Sequence, residues 1–148
     1  MKTWIVSAGA EGRDYAKDFF RFGMAFVGGK SQRETMKRVA AGDAILLKRG
    51  TTEFLAAGTI VERSGPAVGD GDKAWLNDFD GWDLGGYCYV DWHKPDQPER
   101  ATGLRIGTIY ETTNAEQLWQ SVIGYLQVLR TPGMTNPQAR LRCRMTRS

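Results

Sequence analysis

The chain is expected to fold as an α+β domain: a curved, mostly antiparallel sheet or open β-barrel with flanking helices. Three observations lead there. Strand-like segments outnumber helical ones, and most of them fall in one run joined by short turns. The segment Tyr87–Trp92 alternates, with Cys88, Val90 and Trp92 pointing one way and Tyr87, Tyr89 and Asp91 the other, as in a half-buried strand. At 148 residues, with 41% hydrophobic and 25% charged side chains, there is material for one real core, and no repeat or linker divides it.

The elements follow in the order β-α-β-α-β-β-β-β-α. Lys2–Ser7 reads as a strand with Trp4 and Val6 on one face. After a glycine-rich turn, Asp14 can cap a helix whose apolar face is Tyr15, Phe19 and Phe22, and Gly23 stands where a glycine ends such a helix. Met24–Val27 is short and apolar. Ser31-Gln-Arg-Glu34 has the form of a capping box, opening a second helix with Met36 and Val39 inward. Ala44–Lys48 and Glu53–Glu62 read as a hairpin around Arg49-Gly-Thr-Thr52. Gly65–Lys73 and Lys94–Thr102 read as loops. Leu104–Glu111 is a further strand, and Asn114 can cap a last helix carrying Leu118, Val122, Leu126 and Leu129 at helical spacing.

Charge is distributed unevenly. The net +3 conceals five arginines from Arg130 onward with no acid among them, which leaves 15 basic against 17 acidic groups in the rest. A basic tail suits an anionic partner such as nucleic acid, or serves as a solubilising end. No apolar run approaches the roughly 18–20 residues of a membrane helix, so no membrane partner is expected. The opening Met1-Lys-Thr-Trp-Ile-Val reads as strand rather than signal peptide. Cys88 and Cys143, 55 positions apart, form neither a disulfide framework nor a zinc site, and a reducing, cytoplasmic location is expected.

Several chemistries are missing from the residue list. The single histidine, His93, excludes a multi-histidine metal site. The Glu-x-Lys or Asp-x-Lys tripeptide of restriction-type nuclease cores is absent, as is a Gly-x-x-x-x-Gly-Lys-Ser/Thr loop. No cofactor and no catalytic residue are therefore expected. What stands out is the stretch Trp75–Trp92, which holds six of the sixteen aromatic residues. Trp75 and Trp82 lie before its strand, among Asp78, Asp80, Asp83 and glycines. Large aromatics in such a loop either fold back onto the core or stack on something planar or cationic.

Taken in order, Lys2-Thr-Trp-Ile-Val-Ser-Ala-Gly, Met24-Ala-Phe-Val-Gly-Gly, Ala41-Gly-Asp43, Ala57-Gly-Thr-Ile-Val61 and the tryptophan loop entering Tyr87–Trp92 resemble the EVE and YTH domains of the PUA-like superfamily. The resemblance covers residues 2–111. It implies a domain over residues 1–130 followed by a basic tail over 131–148. It also implies a pocket that accepts one base out of the stack. By position, Ser7 and Ala8 would supply a hydroxyl and backbone groups to the base edge, and Phe26 would be a cage aromatic. Trp75 or Trp82 would stack on the flipped base, and Asp80 could accept from an exocyclic amine. Extruding a base costs a few kcal/mol, and stacking returns roughly 1–3 kcal/mol per ring. Lys30, Lys48 and Arg49, beside the second helix start and the hairpin turn, are the candidates for phosphate contacts.

The function expected is a non-catalytic reader of a modified cytosine or adenine, in DNA ahead of RNA. It would work alone or with a nuclease partner or fused effector domain, as in modification-dependent restriction. Two alternatives come from other classes. PUA-like ASCH domains include small amidohydrolases using lysine, threonine and glutamate, types present in Lys48-Arg-Gly-Thr51 with Glu53 or Glu62. A peptide-binding module would use the same aromatic loop without steep salt dependence.

Overall fold

The computed structural model describes residues 1–9, 14–100, 104 and 107–112. The helix expected from Asn114 and the arginine tail lie outside the described residues. Among the described residues eight strands form one sheet: β1 (Thr3–Ser7), β2 (Met24–Val27), β3 (Ala44–Arg49), β4 (Glu53–Ile60), β5 (Val68–Asp70), β6 (Gly86–His93), β7 (Glu99–Arg100) and β8 (Ile109–Glu111). The main path runs β2-β6-β4-β3-β1-β8, with β5 on β6 and β7 on β4, and the sheet curls into an open half-barrel with two helices, α1 (Ala16–Phe22) and α2 (Lys30–Met36).

Among the described strands β1 with β3 is the single parallel pairing, Trp4 lying opposite Ile45 and Val6 opposite Leu47. Parallel neighbours need a crossover, and here it contains α1, β2 and α2. The expected hairpin is present, with Leu46 opposite Ala57 and a bulge between Leu47 and Lys48. The core inside the curl is built from Trp4, Val6, Phe19, Met36, Ile45, Leu47, Leu76, Cys88 and Val90. The other face of the central strands is closed as well: Ile5, Leu46 and Ala57 are fully buried. Tyr87, expected to face outward, is also buried. Burial, with the Asp72 carboxylate that its hydroxyl faces, pushes its phenol above the ordinary tyrosine value.

Helix α1 follows its sequence signals. Asp14 accepts from the Ala16 amide at 3.0 Å, and Gly23, at φ 61°, ends the helix with its N–H turned back to the carbonyls of Phe19 and Phe20. Helix α2 does not. It starts at Lys30 after Gly29, no side chain caps it, and Ser31 lies inside the first turn. With Ser31 already helical there is no cap at Ser31 for Glu34 to complete, and Glu34 pairs forward with Lys37 at 3.2 Å. Val39, expected on the helix, is buried in the turn after it.

Three segments are corrected. The loop Gly65–Lys73 contains β5, and Lys94–Thr102 contains β7; both are short edge additions whose formation depends on a waiting neighbour. The strand expected over Leu104–Glu111 is confined, among the described residues, to Ile109–Glu111, where it pairs with β1.

Asp43 locks the start of the sheet. Its carboxylate accepts from Trp4 Nε1 at 2.9 Å and from the amides of Lys2 and Ala40 at 3.1 Å. Burial alone would raise its pKa; the Trp4, Lys2 and Ala40 hydrogen bonds, with the N-terminal charge, outweigh that and hold it below the ordinary aspartate value.

Candidate functional site

The curl creates a cavity. Ser7 closes β1 and Phe26 lies in β2, with β3, β4 and β6 between those strands in the sheet, yet both line the same depression of about 270 Å³. Its wall also carries Tyr15, Val27, Gly28, Gly29, Gln32, Trp82, Asp83, Leu84 and Thr108. Small-molecule sites span roughly 300–1,000 Å³, so this one suits a single planar ring system. Its floor is aromatic: Phe26, buried, lies 6.1 Å from the Tyr15 ring and 4.6 Å edge-on from Phe19. Hydrogen-bonding capacity sits at the sides, in the Ser7 and Thr108 hydroxyls, the Gln32 amide and the Val27–Gly29 backbone. Ser7 Oγ donates to the Gly9 carbonyl at 3.1 Å, which orients its oxygen, and the Ser7 amide is tied to the Thr108 carbonyl at 2.7 Å.

The aromatic loop is ordered by its own turn chemistry. A short 3-10 turn, Ala74–Asp78, plugs Leu76 into the core. Phe79-Asp80-Gly81-Trp82 follows as a tight reversal with φ 51° at Asp80 and 78° at Gly81, closed by the Trp82 amide on the Phe79 carbonyl at 2.8 Å. Two positive φ values with Asp-Gly at the centre mark a type I′ turn. This turn places Trp82, 41% exposed, at the rim of the cavity. Beyond it, the Arg33 guanidinium grips the Asp83 carboxylate and also faces Asp70 at 3.7 Å. Gly85 and Gly86 leave the room that the Arg33 side chain fills.

Of the residues singled out for base contact, Ser7, Phe26 and Trp82 meet at the cavity. Trp75 stands apart from its wall: the indole packs 4.7 Å from Phe22 and edge-on to Phe26 and Phe79. Asp80 occupies the turn rather than the wall. Ala8 is buried and lines a neighbouring groove of about 230 Å³ together with Ser7, Gly9, Asp14, Lys48 and Arg49. Lys48 is buried there with its ammonium 5.8 Å from the Tyr110 ring, and Arg49 pairs with Asp14 at 2.9 Å. Lys30 lies on the opposite side of the cavity, in a cleft with Arg33, Glu34, Asp70 and Asp83.

No protein-family model and no curated protein matches this chain. The site is therefore read from its geometry. Tyr15, Gln32, Asp83 and Thr108 were not singled out in the sequence. Tyr15 carried a signal, as an aromatic at the start of a helix, but its helical spacing made it a core residue. Among the described residues no cluster of three or more His, Cys, Asp or Glu could hold a metal ion, and no helix is long and apolar enough to cross a membrane. His93 ends β6, 3.5 Å from Asp91. What the arrangement offers a flat, apolar-faced ring is a cavity walled by Phe26 and Trp82, with hydroxyl, amide and backbone groups for its edge.

Proposed function

We propose that this chain is a non-catalytic reader of a modified nucleobase, with a PUA-like fold of the EVE/YTH type, and that the base is turned out of its strand into the Phe26–Trp82 cavity. Modified DNA is placed ahead of RNA, with a nuclease partner or fused effector as the expected associate. One observation carries the reading. A cavity sized for one ring system has an aromatic floor, an exposed tryptophan at its rim and polar groups at its sides, assembled from four segments separated in sequence. A flipped base needs those features: two flat apolar faces and a hydrogen-bonding edge. The curled sheet with two helices is compatible with the curved sheet and flanking helices that the resemblance implies.

The test is fluorescence anisotropy with matched oligonucleotides, single-stranded and duplex, DNA and RNA. They carry cytosine, 5-methylcytosine, 5-hydroxymethylcytosine, adenine or N6-methyladenine. A preference of about tenfold or more for one modified base, corresponding to about 1.4 kcal/mol, is the expected result. Equal affinity for all of them, weakening together as salt rises, would show charge-driven binding without base reading and would overturn the proposal.

A further inference from the structure

We propose that the groove walled by Ser7, Ala8, Gly9, Asp14, Lys48 and Arg49 holds the phosphate of the nucleotide whose base enters the cavity, an assignment that rests on the reading of that cavity as a base site. The two depressions adjoin, since Ser7 and Gly9 line both. A sugar reaching over Ser7 from a seated base would bring its phosphate into this groove. The groove, of about 230 Å³, has among the described residues two cations against one carboxylate. Lys48 is 3% exposed, so its ammonium acts on an anion through a medium of low dielectric, where attraction is several-fold stronger than in water. Arg49 is half-exposed, and Asp14 takes one N–H of its five-donor fork, at 2.9 Å.

The cleft on the other side of the cavity has the opposite character. Lys30 and Arg33 there face Glu34, Asp70 and Asp83. These acids are committed to cations: Arg33 to Asp83 and Asp70, and Lys37 to Glu34 at 3.2 Å and Asp70 at 3.4 Å. A phosphate in that cleft would compete with carboxylates already paired to Arg33 and Lys37 and would have to break the clamp that holds Asp83 beside Trp82. The strand is therefore held from the β3–β4 hairpin side, and the footprint is asymmetric.

The experiment uses isothermal titration of the full chain with the deoxynucleosides of 5-methylcytosine, 5-hydroxymethylcytosine and N6-methyladenine, then with the 5′- and 3′-monophosphates of the tightest binder. One monophosphate is expected to bind roughly tenfold or more tightly than its nucleoside, the worth of a charge-assisted contact. Arg49→Ala is expected to erase that gap, Asp14→Asn to widen it, and added salt to narrow it. Asparagine at position 14 keeps an acceptor for the Ala16 amide, so the helix start is preserved. A nucleoside that binds as well as both of its monophosphates would overturn the phosphate subsite while leaving the base cavity standing. So would an Arg49→Ala loss shared equally by nucleoside and nucleotide. If no nucleoside or nucleotide binds, the base-site reading falls and the subsite with it.

Discussion

Replacing Trp82 by alanine separates reading from folding. The indole is 41% exposed, and the turn that presents it is closed by a backbone bond from the Trp82 amide to the Phe79 carbonyl, which alanine keeps. Loss of the covered part of the ring costs the fold about 1–2 kcal/mol. For a domain of this size that lowers the melting temperature by roughly 3–8 °C, so the variant is folded at room temperature. Stacking on a base is worth roughly 1–3 kcal/mol, so affinity for the preferred modified oligonucleotide should fall roughly 5- to 150-fold. Phe26→Ala is a poor substitute. That ring is 3% exposed, 4.6 Å from Phe19 and 5.4 Å from Phe79, and its removal would cost the fold about 3–5 kcal/mol. The assay is an anisotropy titration of modified and unmodified oligonucleotides beside a melt followed by circular dichroism, with Trp82→Phe as the partial rescue. Two results would refute the reasoning: modified-base affinity unchanged within about twofold, well short of the 1–3 kcal/mol that stacking is worth, or an equal loss for modified and unmodified strands.

Asp43→Asn should flatten the acid limb of stability. Because the native Asp43 pKa lies below its ordinary value of 3.8, the carboxylate's stabilisation is whole above that value and is lost as pH falls through the native one; urea midpoints of the two proteins that decline in parallel with acid would contradict this. Asp43→Ala should also cost about 1–3 kcal/mol at neutral pH, because it strands the buried Trp4 indole N–H. Gly28→Ala should shift the aromatic loop, since the new methyl would collide with the Asp83 carbonyl; a stability loss of about 1–3 kcal/mol and weaker base binding are expected, and a melt matching the parent would count against that packing. The Cys88 thiol is fully buried and pushed up to about 12 by burial; peptide mapping after iodoacetamide should find it unmodified in the folded protein and alkylated in urea, and fast labelling of the native chain would show the core around β6 to be open.

Local signals were legible where one residue type meets one backbone requirement. Gly23 ends α1, Asp14 bonds the start of that helix, and the Arg49–Thr52 segment turns the hairpin. The capping box at Ser31 misled because the helix already starts at Lys30, so Glu34's carboxylate has no cap to complete and accepts from the Lys37 ammonium one turn ahead. Strands β5 and β7 were hidden because three and two residues hold no pattern of their own; the edges of β6 and β4 impose it. The I′ turn at Asp80-Gly81 was readable as turn chemistry, but Asp80 was weighed as a ligand group instead.

By itself the sequence determined the α+β class, the curved and mostly antiparallel sheet, the hairpin and the concentration of aromatics before β6, because periodicity and turn residues act over a few positions. Only the tertiary structure decided which aromatics face a ligand. Trp75 and Trp82 are seven residues apart in one loop and nearly equal in exposure, 39% and 41%, yet one lies on Phe22 and the other rims a cavity. That difference comes from the curl of the sheet, which brings the end of β1 to the edge strand β2 across three intervening strands. Strand twist accumulates over the whole sheet, and no window of sequence contains it.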